Sequence, residues 1–187
     1  MIKNEEKIIL GIDPGTRILG FGLILVSGKS VKYLDMGVIN LKKETDHFKK
    51  LKIISSEVTK IIEHFMPDEL AVEAPFYGKN PQVMLKLGRA QGAAIASALL
   101  KEIPIFEYAP RSVKLKITGK GAASKEQVAM MVMSMLKIDI HPEFTDATDA
   151  LAIAMCHYLH GSVPALTTKG NSSWDAFIKN NPSRIKK

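Results

Sequence analysis

The chain has 187 residues, 46% of them hydrophobic and 24% charged, which is enough apolar material for one core and excludes a disordered chain. Its single cysteine, Cys156, excludes a disulfide framework and a zinc cage of several thiolates. Lys and Arg outnumber Asp and Glu by 26 to 19, a net charge of +7, so a polyanionic partner, of which nucleic acid is the commonest, is expected.

Residues 1–7 are polar and carry no apolar stretch of signal-peptide type. The most apolar segments are interrupted by charge or glycine before they reach the roughly 18 residues of a membrane span, so a soluble cytoplasmic protein with no membrane partner is expected. Residues 7–14 form an apolar run that stops at Asp13-Pro14-Gly15 and read as a strand ending in a tight turn. Two more strands follow over 18–26 and 30–41, with Ser27-Gly28-Lys29 as the hairpin turn between them. Over 46–65 the apolar residues Phe48, Leu51, Ile54, Val58, Ile61, Ile62 and Phe65 recur near helical period. A short strand, 69–74, precedes an Ala-rich helix over 81–101 with proline in its first turn. A strand over 103–108, a short helix over 110–117, a Met-rich helix over 124–137 and a last helix capped by Thr145 and running to about 160 complete the order.

Three meandering strands followed by alternating strands and helices predict an α/β fold: a mixed five-stranded sheet with helices on both faces. Residues 1–161 are read as one domain. The segment 162–187 is read as a partly flexible basic tail, because Lys169, Lys179, Arg184, Lys186 and Lys187 face a single acid, Asp175. Within the body, Arg111, Lys114, Lys116, Lys120 and Lys125 follow one another with no acid between Glu107 and Glu126. Such a run is either a solvated face or a phosphate-binding stripe.

Four acids stand out. Asp13 closes the first strand, and Glu73 lies in the apolar strand Leu70-Ala-Val-Glu-Ala, where an unpaired carboxylate is costly to bury. Asp146 and Asp149 are three apart at the start of the last helix and share a face. Singly, each has a plain structural account: a turn, a salt bridge, or complementing a helix dipole. Strand ends and a helix start can converge on one edge of such a sheet, however. Four converging carboxylates remain ionised together only around a divalent cation, and an oxygen-only set favours Mg²⁺ or Mn²⁺. Two such ions beside basic residues are suited to cutting a phosphodiester.

These residues lie within stretches that resemble the RuvC family of bacterial crossover (Holliday) junction endodeoxyribonucleases, which has the ribonuclease H-like fold. The stretches are Ile9-Leu-Gly-Ile-Asp-Pro-Gly-Thr-Arg, Gly20-Phe-Gly, Ala71-Val-Glu-Ala-Pro-Phe, Leu85-Lys-Leu-Gly-Arg-Ala-Gln-Gly, Tyr108-Ala-Pro-Arg-Ser-Val-Lys and Thr145-Asp-Ala-Thr-Asp-Ala-Leu-Ala-Ile-Ala. The resemblance implies that Asp13, Glu73, Asp146 and Asp149 bind two Mg²⁺ ions, replaceable by Mn²⁺. It implies that Phe76 stacks on bases at the opened crossover, and that Lys114 and Lys125 contact DNA near the scissile phosphate, Lys125 also helping charge developing there. Arg111, Lys116 and Lys120 are further candidate DNA contacts. It also implies a homodimer that cuts a four-way junction symmetrically in recombination and repair, leaving 5′-phosphate ends, in cooperation with the RuvA and RuvB branch-migration complex. Arg89-Ala-Gln91 reverses the Gln-Ala-Arg order common in the family, which leaves the duty of Arg89 open.

Other classes compete. Asp13-Pro-Gly-Thr16 imitates the phosphate loop of actin-like ATPases and sugar kinases, but those need a second domain and a second loop. A junction-binding protein with a dead site is disfavoured because all four acids are present. A nuclease of the same fold acting on RNA–DNA hybrids or other branched DNA shares the chemistry. Among the remaining residues, His141 reads as a loop residue, and His157 and His160 as partners of the last helix's carbonyl end. Cys156 reads as an inert small hydrophobe, and Met130, Met131, Met133 and Met135 as core filler, with a dimer or partner surface as the lesser reading. Trp174 and Phe177 are candidates to dock the tail. The small-residue face around Gly88 and Gly92 is a candidate dimer contact.

Overall fold

The computed structural model describes residues 6–75, 80–138 and 145–161. The first hairpin pairs β1 (Glu6–Asp13) with β2 (Ile18–Ser27), and β2 with β3 (Ser30–Asn40), all antiparallel. Gly28 takes φ 61° in the β2–β3 turn, a left-handed conformation that glycine adopts without a Cβ penalty. β4 (Glu69–Glu73) pairs parallel to β1, and β5 (Ile105–Tyr108) parallel to β4, giving the order β3-β2-β1-β4-β5. This is the expected mixed five-stranded sheet.

Strand alternation divides the core into two layers. Leu10 and Ile12 of β1, Leu19 and Leu23 of β2, and Leu70 and Val72 of β4 turn to one face. There they meet α1 (His47–Phe65) and α2 (Pro81–Leu99), whose buried positions include Ile54, Val58 and Ile62, and Ala90, Ala94 and Ala98. On the opposite face Ile9, Ile24 and Ala71 pack against α3 (Pro110–Thr118), α4 (Lys125–Leu136) and α5 (Thr145–Gly161). Asp13 and Glu73 have the same strand parity as Ile9 and Ala71, so both carboxylates belong to the α5 face.

The cap expected at the start of α5 lies outside the described residues. Two expectations are corrected. Three of the four α4 methionines are not core filler: Met130, Met131 and Met135 are 64%, 40% and 39% exposed, while Met133 is half-buried. The buried stripe of that helix is Val128, Val132 and Leu136, spaced by four, and the methionines lie off it. His157 does not serve its own helix's carbonyl end, although His160 does, donating from Nδ1 to the Cys156 carbonyl at 2.9 Å. His157 is buried against the sheet instead, bridging β4 and β5, with Nε2 2.5 Å from Glu69 Oε2 and Nδ1 2.6 Å from the Tyr108 hydroxyl. Cys156 is fully buried, and burial pushes its thiol up to about 11, as an inert small hydrophobe requires.

Candidate active site

α5 can reach the acid-bearing strand ends because the sheet beneath it lacks side chains. Gly11 of β1 is paired with Gly22 of β2, and Gly20 is the partner of Asp13. A Cβ on Gly11 would overlap the Ala150 carbonyl, one on Gly22 would stand 2.7 Å from Leu151 Cγ, and one on Gly20 would meet the Asp146 carbonyl. The glycines therefore form a seat on which the helix backbone lies directly against the strands. This close approach lays the first two turns of α5 beside Asp13. β1 and β4 run parallel, with Ile12 in register with Val72, so Asp13 and Glu73 end adjacent strands side by side.

Three of the four predicted acids converge: each of Asp13, Asp146 and Asp149 offers a carboxylate oxygen within 4.8 Å of the others. Glu73 stands outside that trio, but its carboxyl is electrostatically coupled to that of Asp13. Burial, followed by the charges of Glu73 and Asp149, pushes Asp13 up to about 8. Burial also raises Glu73. At an effective dielectric of about 20, two carboxylates 4.8 Å apart repel by about 3.5 kcal/mol, and the trio contains three such pairs.

Lys125 supplies a counter-charge. Ser124 caps α4 with a reciprocal box: Gln127 N donates to Ser124 Oγ at 3.3 Å and Ser124 N to Gln127 Oε1 at 3.0 Å. The cap fixes Lys125 as the first helical residue, a place where a cation opposes the helix dipole. Its ammonium lies 2.5 Å from Asp149 Oδ2. Partial burial works against the charged form, but the hydrogen bond and charge of Asp149 prevail and hold Lys125 above its ordinary value. Even with Lys114 nearby, whose charge acts on Glu73, two ammoniums do not balance four carboxylates. The donor set is oxygen only, clustered and partly buried, and fits a hard divalent cation.

Asp13, Glu73, Asp149, Lys125 and Lys114 line one cleft of about 440 Å³, with Val113, Val128, Ala152 and Ile153 as its apolar walls. The remaining basic residues are not gathered there. Lys120 borders a separate hollow with Thr118, Met130 and Met131. Half-buried Lys116 acts electrostatically on Cys156, toward the other end of α5. Arg111 lies alongside Gly121, where an added Cβ would stand 3.0 Å from its Cγ. Phe76, His141, Trp174 and Phe177 fall outside the described residues. Gly88 and Gly92 have nothing within 4 Å of an added Cβ and leave an open face on α2, with Leu85 and Leu99 also exposed.

One residue near the site escaped a functional reading. Gln91 of α2 is 5% exposed, and its amide donates to the Glu73 carbonyl at 3.0 Å and to Glu107 Oε1 at 2.9 Å. The polar residue inside an Ala-rich helix stripe was the available signal.

The family model described as Crossover junction endodeoxyribonuclease RuvC matches residues 9–157. The chain is 55% identical over 185 residues to the crossover junction endodeoxyribonuclease RuvC of Bacteroides fragilis, covering 97% of both chains. It is 50% identical to that of Christiangramia forsetii, covering 99% of this chain and 96% of the other. A solved structure of Thermus thermophilus RuvC in complex with Holliday junction substrate superimposes with a TM-score of 0.77 at 31% identity, covering 83% of this chain and 94% of that one.

Proposed function

The chain belongs to the RuvC family of crossover junction endodeoxyribonucleases, and from that premise we propose that it resolves four-way DNA junctions by hydrolysing phosphodiesters at the cleft between β1, β4 and α5. The observation that carries the reading is the convergence of Asp13, Asp146 and Asp149 within 4.8 Å, with Glu73 beside Asp13. These four carboxylates would hold Mg²⁺, two ions per site, with Mn²⁺ as a substitute. When bound, the ions supply charge neutralisation at the phosphate and activation of water.

The chain's own residues do the rest. Asp13 and Glu73 present carboxylates from adjacent strand ends, and the seating of α5 on the glycines aims Asp146 and Asp149 at the same space. Lys125 and Lys114 line the cleft as phosphate contacts, and Lys125 can trade its bond with Asp149 for a phosphate oxygen as negative charge builds there. Arg111, Lys116 and Lys120 contribute to long-range attraction of DNA rather than to the cleft itself, and Phe76 is assigned to base stacking on resemblance. Residues 1–161 carry the nuclease, and the basic segment 162–187 follows it.

The enzyme acts as a homodimer in the cytoplasm, alongside RuvA and RuvB, with the open Gly88–Gly92 face of α2 as the contact between copies. Among the described residues no helix is long and apolar enough to cross a membrane. A Gly92→Leu chain should sediment as a smaller species than wild type, and an unchanged profile would remove that face from the interface. The substrate reading is tested by offering a mobile four-way junction, a linear duplex, a flap and an RNA–DNA hybrid in Mg²⁺. Paired nicks on the junction alone support it. Preferential cutting of flaps or hybrids would keep the site and overturn the substrate.

A further inference from the structure

The residue order Arg89-Ala-Gln91 places an amide where α2 crosses the ends of β4 and β5. Gln91 belongs to the buried stripe of α2 with Ala90, Ala94, Ser97 and Ala98. Ser97 has a reason to be there: its hydroxyl bonds to the Ala93 carbonyl on its own helix and to Ser55 on α1. Gln91 points the other way, into the sheet. Both hydrogens of its amide nitrogen are used, one on the backbone carbonyl of Glu73 at 3.0 Å and one on Glu107 Oε1 at 2.9 Å. Val72 is in register with Glu107 and Glu73 with Tyr108, so the amide spans the last rung of the parallel β4–β5 pair. β4 ends at Glu73, and residues 76–79 beyond it lie outside the described part of the chain. The strand end that carries the carboxylate is thus tied from the face opposite the cleft.

We propose that Gln91 is a positioning residue for the metal site, clamping the Glu73 carbonyl so that the Glu73 carboxylate stays beside Asp13. The inference rests on the reading of Glu73 as a metal ligand. A polar partner behind a ligand sets that ligand's direction, and its loss typically lowers metal affinity or activity about 10- to 100-fold. Glu107 has a lesser part. It accepts the second amide hydrogen and holds the Gln91 side chain across the strand end.

The test is Mn²⁺ binding to the DNA-free full chain by titration calorimetry, paired with the Mg²⁺ concentration that gives half-maximal junction cleavage. Gln91→Met keeps the volume and removes both donors. It should weaken Mn²⁺ binding by about 10- to 100-fold and raise the Mg²⁺ requirement in step, with excess Mg²⁺ restoring cleavage and metal-free junction affinity unchanged. Glu107→Gln still offers an acceptor and should behave as wild type on both readouts. A Gln91→Met chain that is merely less heat-stable, with wild-type Mn²⁺ affinity and Mg²⁺ requirement, would overturn the inference. If Gln91→Met does not fold, Gln91→Asn, whose amide is one methylene short of the Glu73 carbonyl, takes its place under the same criteria. Glu73→Gln separates the two levels. If Glu73→Gln leaves Mn²⁺ affinity intact, the ligand reading itself fails. If it weakens binding while Gln91→Met does not, only the role of Gln91 fails.

Discussion

Replacing Gly20 with alanine tests how α5 is held. The added Cβ would stand 2.5 Å from the Asp146 carbonyl carbon and 3.2 Å from the Ala147 nitrogen, with the Asp146 carbonyl oxygen nearer still. Ordinary carbon–carbon contact lies at about 3.5–4.0 Å, so the start of α5 must lift by about 1 Å or the strand must yield. The obstruction is backbone on both sides, and no side chain can rotate away. Overpacking of this kind costs about 1–3 kcal/mol of stability. The catalytic cost should be larger in proportion: Asp146 belongs to a trio only 4.8 Å across, and a misplacement of about 1 Å can cost about 100-fold in rate. Gly161→Ala is the matched control, since nothing lies within 4 Å of its Cβ and it closes α5 at the end away from the acids. Single-turnover junction cleavage and thermal unfolding, measured on both variants, should show a slow, destabilised Gly20→Ala and an active Gly161→Ala of about wild-type stability. A Gly20→Ala chain that cleaves and unfolds like wild type would refute the glycine seat.

Other outcomes follow from the same geometry. Lys114 lines the cleft and Lys116 does not, so Lys114→Ala should lower the slope of log affinity against log salt by about 1, and Lys116→Ala should lower it less; equal effects would show that the basic run acts as one stripe. Asp13 sits well above its ordinary value, so its protonated form favours the folded state: that contribution is complete below the unfolded value of 3.8 and is lost as pH rises through about 8. The metal-free protein should therefore melt at lower temperature as pH rises through that window, Asp13→Asn should flatten the loss, and a wild-type melting temperature insensitive to pH there would contradict the coupling. Tyr108→Phe leaves Nδ1 of buried His157 without its 2.6 Å partner and should cost about 1–3 kcal/mol in denaturant unfolding while the four acids stay in place; an unchanged midpoint would count against the Glu69–His157–Tyr108 chain as a structural tie.

Much of the fold was legible because local signals agree with the tertiary result. The Asp46 cap of α1, the Gly28 turn and the Ser124 box each sit where the apolar period changes. The carboxylates were legible for a different reason: acids inside apolar strand ends contradict burial, and contradictions of that kind mark sites. What could not be read is whatever depends on distant partners. His157 meets Glu69 across 88 residues, and no local pattern announces it. The acid-free succession of bases from Arg111 to Lys125 allowed either a solvated face or one stripe, but helix rotation and the Gly119–Gly121 loop turn successive bases to different surfaces. The α4 methionines were misread because a buried stripe spaced by four leaves the residues between it outside, whatever their hydrophobicity. Gln91 was visible as an odd polar residue, but its duty appears only once α2 is laid over β4.

The central claim is that Asp13, Glu73, Asp146 and Asp149 together hold the metal that cuts the junction. The most direct measurement compares wild type with Asp146→Asn on a mobile four-way junction in Mg²⁺, mapped at nucleotide resolution, with metal-free junction binding and Mn²⁺ binding recorded on the same preparations. Paired symmetric nicks from wild type should vanish in Asp146→Asn, Mn²⁺ binding should weaken, and junction affinity should remain, since the phosphate contacts are untouched. An Asp146→Asn chain that still nicks the junction at the wild-type rate would contradict the account.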